Sequence, residues 1–228
     1  NCVEDIDLVA SVILSYDSDD LDMIQDYQYK RTVSLNKPIK FGFVRGPVWT
    51  FGDEDMKHGI EEFVKNVQLD IEELDLGKDF DDAAKAHEII MNGSIANSLM
   101  NYYQTDKSNL HPFTVKRIEA GIPVSASDYV SAIEQAKKME QILKQFFKKY
   151  DAIITPAAPG QAPRDLMNTG NAIFNGYWTM MGVPAISLPF LKGKDDLPIG
   201  IQFIANWSED LKLLEICKYI LEKEKLAD

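Results

Sequence analysis

The sequence predicts an α/β fold, a mixed β-sheet flanked by helices. Three observations predict it. A strand–helix–strand succession begins near Lys40, a long block of helical periodicity fills about 80–150, and short apolar strand segments follow from Ala152. Strand, helix, strand is the unit of a parallel sheet, and strands joined by a tight turn add antiparallel pairs.

The elements follow in order. In NCVEDIDLVASVIL, Val3, Ile6, Val9 or Ala10, and Ile13 fall three or four apart, the spacing of a helix with one apolar face. A chain that opens inside such a helix, without Met or a signal segment, is expected to be cut from something larger. The polar, acid-rich YDSDDLDMIQDYQYK then reads as a connector, and KFGFV (Lys40 to Val44) as a strand. Pro47 and Gly52 bracket a loop holding Trp49 and Phe51. Asp53 is placed to N-cap a helix whose apolar face is Met56, Ile60, Phe63 and Val64. VQLDIEEL alternates, with Val67, Leu69 and Ile71 on one side of a half-buried strand.

Three helices are expected next, from Phe80 to about Tyr103, from His111 to Gly121, and from a capping box of Ser125 with Asp128. The third has the stripe Tyr129, Ile133, Ala136, Met139, Leu143, Phe146 and Tyr150. This block reads as a cap or outer layer. DAIITPAAP then runs from a strand (Ala152 to Thr155) into a Pro- and Gly-rich loop shaped by Pro156, Pro159, Gly160 and Pro163. PAISLPF and LPIGIQFIA are strands joined by a turn from Lys192 to Asp196, the second with Ile199, Ile201 and Phe203 alternating. Ser208 is expected to cap a last helix carrying Leu213, Leu214, Cys217, Ile220 and Leu221.

Composition narrows the function classes. Over 228 residues, 45% are hydrophobic and 26% charged, as in ordinary globular proteins. The net charge of -12 repels phosphate backbones and anionic lipid, so neither nucleic acid nor membrane is expected as a partner. Two cysteines, Cys2 and Cys217, give no disulfide framework, and a cytoplasmic protein is expected.

Templates for independent chemistry are not met. His87-Glu88 lacks a second His four residues on, no CxxC pair occurs, and the acidic run Asp17, Asp19, Asp20, Asp22 lacks a calcium loop's glycine and terminal Glu. GFVRGP is neither a P-loop nor a dinucleotide fingerprint, and there is no GxSxG elbow. Ser94 falls inside the long helix, where its hydroxyl is expected to bond backbone. No metal and no cofactor is expected.

Several segments together resemble the amidase-signature hydrolase family. They are CVEDIDLVASVIL, KFGFVRGPVW, DAIITPAAPGQAP, TGNAIFNGYWTMMGVPAISLPF and LPIGIQFIA, in the family's order and roughly its spacing. The most specific stretch is the end block: a TP-x-x-P loop, FN-x-x-WT, G-x-PA-x-S-x-P, then LP-x-G-x-Q. The resemblance implies that residues 1–228 form a single C-terminal portion of the family's domain. Its helical layer spans about 80–150 and its sheet segments about 39–75 and 151–206. It also implies serine-dependent hydrolysis of carbon–nitrogen bonds, in which a second serine relays a proton to a lysine and backbone amides form the oxyanion hole. Those serines and that lysine precede the segment matched by CVEDIDL, so no catalytic residue is carried over.

By the same resemblance, the C-terminal half completes the sheet and walls the funnel for a small-molecule amide. Phe174, Asn175, Trp178 and Thr179, ahead of the turn at Gly182, Val183, Pro184 and Ala185, are the expected wall, with Gln202 on the last strand. Phe174 and Trp178 stand one helical turn apart, and Asn175 offers both donor and acceptor to an amide. The expected partner is a missing N-terminal catalytic half, and exposed strand edges would permit a homodimer. Two other readings stay open, a non-catalytic binding module reusing this half-fold and a glutamine amidotransferase A subunit. The A subunits resemble this sequence but carry an acid near Asn171-Ala172 for the glutamine amino group. None stands there, and a general amidase is favoured.

Overall fold

The computed structural model describes residues 2–20, 23, 35 and 38–224. Most of the expected acid-rich connector, Asp22 included, lies outside the described residues. Within them the order is α1 (Val3–Ile13), β1 (Lys40–Phe43), α2 (Glu54–Asn66), β2 (Asp70–Glu73), α3 (Ala83–Asp106), α4 (Pro112–Gly121), α5 (Ala126–Phe146), β3 (Ala152–Pro156), α6 (Ile173–Met180), β4 (Ala185–Lys192), β5 (Pro198–Ile204) and α7 (Asp210–Glu224).

The fold class is the predicted one, a mixed sheet with flanking helices. Its strand order is β2-β1-β3-β5-β4. β1 pairs in parallel with both β2 and β3, whereas β5 runs antiparallel to β3 and to β4. The α2 crossover accounts for the first parallel pair, and the short turn after Lys192 for the last antiparallel one. At the sheet centre β3 is buried along its whole length. The neighbouring carboxylate Asp151 is also buried, and its charge is compensated by neighbouring groups. Its Oδ2 accepts from the Lys40 backbone at 3.2 Å, and its Oδ1 lies 3.3 Å from Lys212 Nζ on α7. A buried carboxylate without such partners is costly.

The helical layer matches its patterning. The Ser125 hydroxyl accepts from the Asp128 backbone N–H at 3.0 Å, and Ala132, Ala136, Met139 and Leu143 bury one face of α5. His111 caps α4 through Nδ1, which accepts from Phe113 N at 3.2 Å. The Ser94 hydroxyl bonds the Tyr129 hydroxyl at 3.1 Å, joining α3 to α5 rather than turning back on its own helix.

Several elements differ from the sequence expectation. Of the apolar stripe on α1 only Val3 is buried; Ile6 (46% exposed), Val9 and Ile13 face outward, because α1 packs on α7 near its start, where Lys218 meets Asp7 at 3.7 Å. β2 is confined to Asp70–Glu73, so Val67 and Leu69 precede it in an irregular stretch. α3 starts at Ala83, after a 3-10 turn over Lys78–Phe80. Ser208 does not cap α7: it adopts φ 59 in the turn before, and Glu209 O accepts from Leu213 N. Cys217 is buried, which pushes its thiol pKa up to about 12 and keeps it protonated.

Two packing contacts give direct tests. A Cβ on Gly121 would meet Asn92 O at 2.0 Å and Ala96 Cβ at 2.7 Å, so α4 crosses α3 at a distance only glycine permits. Gly121→Ala is expected to destabilise the protein by about 1–3 kcal/mol in urea unfolding, the cost of overpacking; an unchanged midpoint would refute the contact. His87 on α3 packs against Gly176 of α6, where a Cβ would stand 2.5 Å from Nδ1. Burial foremost, then the Arg117 charge, lowers the His87 pKa, against the opposing pull of Glu88. The unfolded chain therefore takes up this proton first. The stability that neutral His87 supplies is present above the ordinary imidazole pKa of about 6.5 and is lost as pH falls below it. Urea midpoints measured between about pH 8 and 5 are expected to fall less steeply for His87→Gln than for wild type; equal slopes would count against it.

Candidate functional site

β5 inserts between β3 and β4 in a register that sets Gln202 opposite Thr155 on one side and Ser187 on the other. Facing residues of antiparallel strands share a face, so the three side chains form one polar row across the sheet. The neighbouring row, Ile154, Phe203 and Ile186, projects to the opposite face. Burial is graded along the polar row: Thr155 is 0% exposed and Gln202 4%, whereas Ser187 is open to solvent.

Above this row lies a cleft of about 750 Å³, within the range of small-molecule sites. One wall is the loop from Ala157 to Ala172 that leaves β3. Its shape is set by short side chains bonding backbone two residues on. Asp165 accepts from Met167 N at 2.9 Å, Asn168 from Gly170 N at 2.9 Å and Asn171 from Ile173 N at 3.0 Å. The loop leads into α6, which contributes Asn175 to the cleft. α6 ends at Met180, and Gly182 (φ 66) turns the chain into β4 while Trp207 Nε1 donates to Met181 O at 2.7 Å.

Of the polar residues lining the cleft, Gln202 is incompletely paired. Among the described residues its Nε2 is buried without a hydrogen-bond partner, as are Thr155 Oγ1, Tyr177 OH and Trp178 Nε1, which do not line the cleft. Such groups are rare, because an orphaned polar atom keeps its desolvation cost. Burial foremost holds the Tyr177 hydroxyl well above the usual phenol range, and the nearby polar atoms of Thr155 and Trp178 offset this only in part. Tyr177 is thus a neutral donor rather than a base.

The expected wall residues separate. Asn175 and Gln202 line the cleft. Phe174 (0% exposed) and Trp178 (1%) do not; both are enclosed in the core, where Trp178 lies 4.7 Å from the Tyr177 ring. Thr179 is exposed and borders a different hollow, shared with His87, Ile133 and Lys137. Sequence reasoning missed Ser187 and Asp53, which also line the cleft. The strand pairing makes the Ser187 position legible; for Asp53 the sequence suggests only a capping role. Asn171 and Ala172 border the cleft without charge, as expected, and Asp53 brings an acid to the cleft from another part of the chain. No cluster of three His, Cys, Asp or Glu fit to hold a metal occurs among the described residues.

Comparison with known proteins gives this geometry a family. The chain is 26% identical over 260 residues to the A subunit of glutamyl-tRNA(Gln) amidotransferase from Agathobacter rectalis, covering 98% of this chain and 51% of that protein. To the corresponding protein of Aliarcobacter butzleri it is 34% identical over 125 residues, 50% of this chain and 28% of that one. The chain thus spans about half the length, or less, of the curated relatives it matches. A bacterial aryl acylamidase of the amidase signature family superposes with TM-score 0.72 at 16% identity, covering 97% of this chain and 51% of the other. 6-aminohexanoate cyclic dimer hydrolase gives TM-score 0.77 at 16% identity, covering 97% and 53%. Such low identities show the shared fold. The family model described as Amidase matches residues 1–214, and the chain belongs to the amidase-signature family.

Proposed function

We propose that this chain is the C-terminal half of a serine-dependent amidase, a single portion of that enzyme's domain, and that it supplies the sheet scaffold and one wall of the amide-binding cleft. The observation that carries the reading is Gln202. Its side chain is buried in the cleft floor with Nε2 unpaired, beside Asn175. An incoming amide carbonyl is the acceptor that Nε2 lacks, and the Asn175 side chain can bond the same amide group. Binding then relieves an unmet hydrogen bond instead of creating one. Nucleophile, proton relay and oxyanion donors come from the N-terminal half; this half holds the substrate in attack geometry.

A second reading, an amidotransferase A subunit, is favoured by the curated relatives, which carry that name. Against it, Asn171 and Ala172 offer no charge where the family resemblance puts the acid that meets glutamine's amino group. Phe174 and Trp178 act in this proposal as the packing that fixes α6, and so Asn175, against the sheet. Thr179 is assigned no substrate contact.

Two measurements test the proposal. The chain joined to an amidase N-terminal half is expected to release amine or ammonia from simple amides, and residues 1–228 alone are not; turnover by the isolated chain overturns the division of labour. Gln202→Leu removes a polar group with no partner in the free protein. It is expected to leave urea stability unchanged or raised, yet to lower kcat/KM of the joined enzyme by roughly 5- to 150-fold, about 1–3 kcal/mol. A loss of stability with unchanged kcat/KM would make Gln202 structural.

A further inference from the structure

We propose that Asp53 is a specificity-determining residue that selects amides carrying a cationic amine. The inference rests on the amidase reading above and adds the substrate's charge.

Asp53 occupies the N-cap position of α2, with φ -69 and ψ 156, yet its side chain makes no capping bond. Aspartate is among the residues most favoured at that position because its carboxylate accepts from the free N–H groups of the first turn. Here that local preference is unmet. The backbone N–H of Asp53 instead donates to Pro159 O at 2.7 Å, tying the residue to the cleft loop. Its carboxylate lies over Gly160, where a Cβ would stand 2.2 Å from Oδ2; glycine clears the space the carboxylate uses. A side chain that forgoes its local partners and turns into a cleft marks function more often than accident.

Two of the surrounding cations are engaged elsewhere, and the third, Lys194, borders the same loop without pairing to Asp53. Lys57 pairs with Glu54 at 3.0 Å, and Arg164 with Asp195 at 2.5 Å. Among the described residues no cation pairs with Asp53. Asp55 accepts from Lys194 N at 2.9 Å, so the neighbouring carboxylates are bound while Asp53 stays open. The second observation is in the lining of the same cleft, where Gln202 is 4% exposed and its buried Nε2 has no hydrogen-bond partner. One part of the cleft offers an anion and another a neutral donor. A molecule bearing an ammonium group and a carbonyl satisfies both, whereas an anionic amide meets repulsion from Asp53 and from the net charge of -12.

The test is binding, measured apart from turnover. γ-Aminobutyramide and the uncharged butyramide are titrated into the protein at low salt and followed by NMR, for wild type, Asp53→Asn and Asp53→Glu. Wild type is expected to bind the cation about two- to fivefold more tightly than the neutral amide, the range of an exposed ion pair, and to lose the preference as salt is raised. Asp53→Asn is expected to bind both equally, and Asp53→Glu to retain a preference. Equal binding by wild type, or a preference that survives Asp53→Asn, overturns the assignment. If cation binding depends on Asp53 while the joined enzyme hydrolyses neither amide, the amidase reading fails and the ammonium site stands.

Discussion

The site depends on the register of β5 between its two neighbours. That register aligns Thr155, Gln202 and Ser187 in one row and sends Ile154, Phe203 and Ile186 to the other face. A slip of one residue would exchange the rows, burying Gln202 among apolar side chains and turning Ile201 or Phe203 into the cleft. Ile199, Ile201 and Phe203 are each at most 1% exposed, so the hydrophobic effect holds the alignment. The apolar row thereby fixes the polar one.

The helix over the cleft is held by a similar division. α6 is short, with Phe174, Tyr177 and Trp178 all buried. Burying three aromatic side chains contributes on the order of 1.5–3 kcal/mol each, ample to anchor eight residues. Asn175 lies between them in sequence but about 100° around the helix from Phe174, and so reaches the cleft. The same packing leaves Tyr177 and Trp178 with unpaired polar atoms. Packing is satisfied there ahead of hydrogen bonding.

Much of the fold is legible in the sequence because its signals are local. Alternation marks β5, the Ser125 and Asp128 pair marks the start of α5, and the 3.6-residue stripe marks α5's buried face. What the sequence does not show depends on tertiary neighbours. The stripe on α1 is a real helical periodicity, yet only Val3 of it is buried. The site is half legible for the same reason. An aromatic pair four apart marks one face of α6, but nothing in the sequence says whether that face meets the core or the cleft; it meets the core. Asp53 is placed at the start of α2 by its identity, whereas the direction of its carboxylate is set by Pro159 and Gly160, more than a hundred residues away.

The account is tested most directly by a crystal structure of the joined enzyme with a non-hydrolysable amide bound. It predicts the ligand's carbonyl oxygen about 2.9 Å from Gln202 Nε2, with the Asn175 side chain on the same amide. A ligand bound elsewhere, or a Gln202 side chain already paired with protein while the amide ignores it, would contradict the account.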